Sequence, residues 1–224
     1  MDKHNLNSDN PEDILKEALP KNSWLIDESI PHVKHLNDYN SIIEDLKFAR
    51  ECLIELKKMR VLEENTEIEN STTLKRVYFT NSVITYARCF NSTKQGGRIS
   101  INKKQFKKNF PNNERVSAKD LVKFHEYIMD LRNKFIAHAD NSIFETKRIY
   151  IQFELEGENL HSTFANLSVA MFNFDQTQLS NFMVLIDYAI INLSEKSKIL
   201  TQKVKDQIGD DKLLEVAIKT LKNN

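Results

Sequence analysis

A change of period limits the folds open to this chain. Apolar residues recur every three or four positions along most of its 224 residues, but every two positions between 147 and 155. The first spacing builds helices with one buried face, and the second builds a strand with one buried face. From Asn37 to about Met59, Ile42, Ile43, Leu46, Ala49, Leu53 and Leu56 predict a first helix, with Asp38 placed to cap it. A polar cluster at 70–73 opens a second, carried by Leu74, Val77, Tyr78, Val83 (or Ile84), Ala87 and Phe90 and finished before Gly96-Gly97. Ser117 caps a third, with Leu121, Phe124, Ile128, Leu131, Phe135 and Ile136. A long helix opens at Asp175, runs through Leu179, Phe182, Met183, Ile186, Ile190, Leu193, Leu200 and Val204, and stops at Gly209; a short final helix follows. Between the third helix and the long one, Ile149, Ile151, Phe153 and Leu155 alternate with polar residues, turn near Gly157, and predict a β-hairpin over about 147–172. The expected fold is mainly α, a helical bundle with an inserted hairpin.

Only four Gly and four Pro interrupt this pattern, and the 40% hydrophobic, 29% charged composition is that of a globular protein. Residues 1–36, broken by Pro11, Pro20 and Pro31, read as a polar arm, and 37–224 as one helical domain carrying the hairpin. Thirty-two basic residues balance thirty-two acidic ones, so any anionic ligand needs a local positive site rather than a global field. The polar opening MDKHNLNSDN lacks a signal-peptide core, and no window is apolar enough to span a bilayer; the expectation is a cytoplasmic protein with no membrane partner. Cys52 and Cys89 stand apart, which points to reduced thiols rather than a disulfide framework or a zinc site.

The chemistry concentrates in DLRNKFIAHAD, at 130–140, where Arg132, Asn133 and His138 interrupt an apolar helix face. On a straight helix the step from 132 to 138 turns about 600°, leaving the two side chains about 120° apart. They meet only if the helix bends near Ala137, or if a second copy packs its own helix antiparallel across a two-fold axis. His125, two turns before Arg132 on nearly the same face, is placed to border such a cleft. A histidine titrates near neutrality and suits general acid-base work, while arginine's planar fork suits charge growing on a phosphoryl group. The plainer reading of the same residues is an arginine that snorkels and a histidine that favours a helix end.

The R-N-x4-H pattern with its Leu-Arg-Asn and Ala-His flanks resembles the R-x4-6-H signature of HEPN domains (higher eukaryotes and prokaryotes nucleotide-binding). The likeness is concentrated in residues 115–140, and the inserted hairpin departs from the minimal family bundle. The resemblance implies a bacterial homodimer formed through the motif helix that binds RNA, with scope for metal-independent endoribonuclease activity in a toxin or phage-defence role and an antitoxin as partner. Arg132, Asn133 and His138 would be its catalytic residues, His125 would contact the RNA, and no cofactor is implied. The alternative is a non-catalytic helical module for dimerisation or nucleotide binding, with Arg132 and His138 in a structural role.

Residues 98–113 could form a short helix ended by Pro111, or a loop; their Lys103, Lys104, Lys107 and Lys108 make the local surface best suited to RNA, with Phe106 and Phe110 as stacking partners or core anchors. Arg88 and Arg98 could add phosphate contacts, although a salt bridge is the ordinary role of each. His32 and His35 lack acidic or cysteine ligands at metal spacing, so no metal site is expected there. The sequence has no P-loop, GxSxG or HExxH motif.

Overall fold

The computed structural model describes residues 18–21, 23–65, 72–91, 97–108, 110, 116–133, 145–156, 159–170 and 174–222. Its element order is α1 (Val33–Asn65), α2 (Thr72–Arg88), α3 (Lys103–Lys108), α4 (Ala118–Leu131), β1 (Glu145–Glu156), β2 (Asn159–Ala170), α5 (Gln176–Ile208) and α6 (Asp210–Lys222). The fold is mainly α with one antiparallel hairpin, as the two periods predict. No described helix is long and apolar enough to cross a membrane.

Helix ends follow local chemistry. Asp175 and Gln178 bond each other's backbone N–H, at 2.7 and 3.0 Å, a reciprocal cap that opens α5. Gly209 takes φ +80°, a left-handed turn open to glycine without strain, and its N–H bonds the Lys205 carbonyl at 3.0 Å to close α5. Asn102 caps α3 through a 3.0 Å bond from the Gln105 N–H. Asp38 does not cap α1; the helix begins five residues earlier than Asp38, and the Leu36 N–H bonds the carbonyl of His32, which itself sits at φ 72°.

The chain divides into two compact units. In the first, Met1–Asn40 with Ser194–Asn224, Val33 and Val204 are buried, and the Ser197 hydroxyl bonds Asn40 Oδ1 at 3.2 Å. The second, Ser41–Leu193, holds the main core. There α1 contributes Ile42, Leu46, Ala49, Leu53 and Leu56, α4 contributes Leu121, Phe124 and Ile128, and α5 contributes Leu179, Phe182, Leu185 and Ile186.

Helix α2 buries Val83 and Ala87 as its apolar spacing predicts, but its first turns depart from that pattern. Leu74 and Val77 are exposed, while Phe79, Ser82, Val83, Tyr86 and Ala87 are buried. Ser82 can join this face because its hydroxyl donates to the Phe79 carbonyl at 2.8 Å, so the buried oxygen is satisfied within its own helix. Cys52 and Cys89 are buried free thiols, and burial pushes them up to about 11 and about 12. Neither is poised as a nucleophile at neutral pH.

In the hairpin every residue of β1 pairs with β2, from Glu145 opposite Ala170 to Glu156 opposite Asn159, with Ile151 opposite Phe164. Among the described residues this sheet has two strands only.

The phase of α2 is checked by two truncations. Phe79→Ala should cost about 3–5 kcal/mol in urea unfolding, as for a fully enclosed ring, and Leu74→Ala about 0.5 kcal/mol or less. Equal losses would show that α2 buries the other face.

Candidate functional site

Helix α4 sets the site. The Ser117 hydroxyl accepts from the Asp120 N–H at 3.1 Å and donates to the Asp120 carboxylate at 2.6 Å, which fixes the first turn. From there Leu121, Phe124, Ile128, Met129 and Leu131 lie on the buried face. His125 falls in the middle of it, four residues after Leu121. It is 1% exposed, so the expectation that it borders an open cleft and meets RNA is corrected: it is a core residue.

The imidazole Nδ1 of His125 lies 2.8 Å from the Tyr86 hydroxyl of α2. Rings of Phe90 and Phe106 pack on it with centroids at 4.8 and 5.5 Å. Phe106 stacks in turn on Phe110 and on Tyr188 of α5, and Tyr86 meets Phe182 edge-on at 5.0 Å. The pair thus ties α2, α3, α4 and α5 together through one aromatic cluster. Burial, reinforced by the Lys107 and Lys103 charges, depresses His125 to about 4, and burial raises Tyr86 well above the ordinary phenol range. At neutral pH both groups are uncharged, which their enclosure requires. Neutral His125 is no proton donor at pH 7.

The basic stretch is a helix, not a loop, and it lies against α4. Lys107 Nζ pairs with Glu126 at 2.8 Å, and Lys103 Nζ bonds Asn91 Oδ1 at 2.9 Å. Lys104 and Lys108 are exposed. Phe106 and Phe110 are buried and serve as anchors rather than stacking platforms. Arg88 and Arg98 converge on Asp45: Arg88 through Nε at 3.1 Å and through Nη2, Arg98 through Nη1 at 2.7 Å, with a further 2.9 Å bond from Arg98 to the Ser41 hydroxyl. They are a structural ion cluster, occupied by a carboxylate.

At the far end of α4 the α-helical ladder gives way to a wider π-type turn at residues 132–133. Arg132 is half-buried with helical backbone angles, and its Nη1 donates to Asn133 Oδ1 at 3.0 Å. No carboxylate pairs with Arg132 among the described residues. Its guanidinium keeps further N–H donors and a fixed positive charge, the equipment for holding a phosphate group. His138 lies outside the described residues. The sequence therefore leads to Arg132, Asn133 and the lysines, while it passes over Tyr86, whose partner is 39 positions away. Comparison with family models, with curated proteins and with solved structures yields no match.

The depressed His125 makes stability acid-sensitive. As pH falls below about 6.5, the unfolded chain takes up a proton that the folded one refuses until about 4, so stability falls across that window and is retained above it. The loss should approach about 3 kcal/mol. Urea unfolding between pH 7 and 4 should show this slope in the native chain and a flatter one in His125→Gln; parallel slopes would remove His125 as the cause.

Proposed function

We propose that this chain is a HEPN-like RNA-binding protein that acts as a homodimer through its motif helix, with Arg132, Asn133 and His138 as a metal-independent endoribonuclease centre. The observation that carries the proposal is the Arg132–Asn133 pair at the π-turn: a guanidinium steadied at 3.0 Å by the neighbouring amide and paired with no described carboxylate. The likeness of LRNKFIAHAD to the HEPN signature supports the same reading. In such a centre His138 moves the proton of the ribose 2′-hydroxyl or of the leaving 5′-oxygen, and Arg132 balances the charge on the phosphoryl oxygens. Asn133 holds the guanidinium in place. A toxin or defence role, with an antitoxin as regulator, is the setting in which such activity fits a cytoplasmic protein.

The lysines of α3 take unequal parts. Lys107 and Lys103 are engaged by Glu126 and Asn91, which leaves Lys104 and Lys108 to meet phosphates. The second reading, a non-catalytic module, draws on the burial of His125, which leaves the motif with His138 alone for proton transfer.

Purified protein should cleave mixed RNA in EDTA and leave 2′,3′-cyclic phosphate or 3′-phosphate ends. His138→Ala and Arg132→Ala should each lower the rate by about 10²–10⁴-fold with the fold intact by circular dichroism. Activity that requires Mg²⁺, or survives His138→Ala, would place the chemistry elsewhere; RNA binding without any cleavage would favour the module. In filter binding, Lys104→Ala/Lys108→Ala should lower the slope of log affinity against log salt by about 0.7 for each phosphate left unneutralised, and Lys103→Ala/Lys107→Ala by less. The reverse order would overturn the division among the lysines.

A further inference from the structure

The hairpin carries an apolar face that the described chain leaves open. Ile149, Ile151 and Phe153 of β1 alternate onto one side, and the register puts Phe164 of β2 beside Ile151 on that side. They are 73%, 43%, 63% and 73% exposed. A two-stranded ribbon is marginal in water alone, and sheets gain independent stability from three strands or more. Among the described residues, both outer edges of this one offer backbone groups that no third strand takes up.

The sequence of β1 says what suits its edge. After Glu145 and Thr146 the strand turns basic, at Lys147-Arg148, and it ends acidic, at Glu154 and Glu156, around an apolar middle. Such a strand repels a parallel copy of itself and complements an antiparallel one. A two-fold axis perpendicular to the sheet requires that residues facing each other lie on the same side, which restricts the centre to a residue rather than a bond. With Ile151 on the axis, position 149 of one copy stands opposite 153 of the other, and 148 opposite 154. Ile meets Phe on the apolar side, and a basic position meets an acidic one on the other. The apolar residues then run in one row across four strands, Phe164, Ile151, Ile151 of the second copy and Phe164 of the second copy.

We propose that the hairpin is an interface for a second copy of this chain, with the two β1 strands paired antiparallel about Ile151. This contact is distinct from the motif-helix dimer proposed above and uses none of that site's residues; the two together would join copies into a tetramer or an open chain.

Disulfide trapping tests it on the full chain, in which the native Cys52 and Cys89 are buried and silent. Under mild oxidation Ile151→Cys should give a disulfide-linked species of twice the chain's mass, since the axis brings position 151 next to itself within the reach of an S–S bond. Phe164→Cys, although more exposed, should link far less, which separates a defined register from random collision. In the Ile151→Cys background, Arg148→Glu or Glu154→Arg should each cut the linked yield by about tenfold, and the two together should restore it. Linking through 164 in preference to 151 would move the interface to the β2 edge and overturn the proposal. Absence of linking at 151, or a double charge reversal that stays weak, would overturn it as well.

Discussion

The buried hydrogen bond between Tyr86 and His125 holds the second unit of this protein to one arrangement. An apolar core of these aromatic rings could slide, because Phe–Phe contacts tolerate several geometries. A 2.8 Å bond between a phenol and an imidazole, both enclosed, tolerates far less: moving α2 against α4 strands two polar groups without water. The helices α3 and α5 join through the same rings, Phe106 resting on His125 and on Tyr188. The placement of Lys104, Lys108 and Arg132 therefore derives from a contact buried in the core.

That arrangement separates burial from charge along a single helix. The middle of α4 is neutral, enclosed and fixed. Its C-terminal end, where the ladder widens, carries a cation with donors left over, and a positive charge also suits the carbonyl end of a helix. Among the lysines of α3, Lys103 and Lys107 bond neighbours, while Lys103, Lys104 and Lys108 are exposed. Positive charge is thus concentrated locally while the formal charge of the chain as a whole sums to zero.

Periodicity alone made the architecture legible. The long helices and the hairpin follow from spacings of three to four and of two, and Asp175 and Gly209 mark the ends of α5 as their chemistry dictates. The inward face of α2 was legible at Val83 and Ala87 but not in full, because the residues that turn inward also include Ser82 and Thr85, whose polarity a pattern assigns to solvent; Ser82 lies within because its hydroxyl bonds back to its own helix. His125 was misplaced for a related reason. Its spacing from Leu121 and Ile128 does put it on the buried face, but a histidine is acceptable there only with a partner, and that partner, Tyr86, belongs to another helix. Arg132 and Asn133 were legible as part of the LRNKFIAHAD pattern. Which of the four lysines are held to neighbours was not, since it depends on which of them reaches Glu126 or Asn91 across the fold.

A neutral His125, bonded to Tyr86 inside the aromatic cluster, locks the helices that position the cationic end of α4. The decisive observation is the ring ¹⁵N resonances of His125, followed by NMR across pH. A locked ring gives a neutral imidazole in one tautomer, whose shifts stay flat from pH 8 to about 5 and reach their midpoint near about 4. A midpoint near the ordinary value of about 6.5, with averaging of the two ring nitrogens, would mean that water reaches the ring and would contradict the lock.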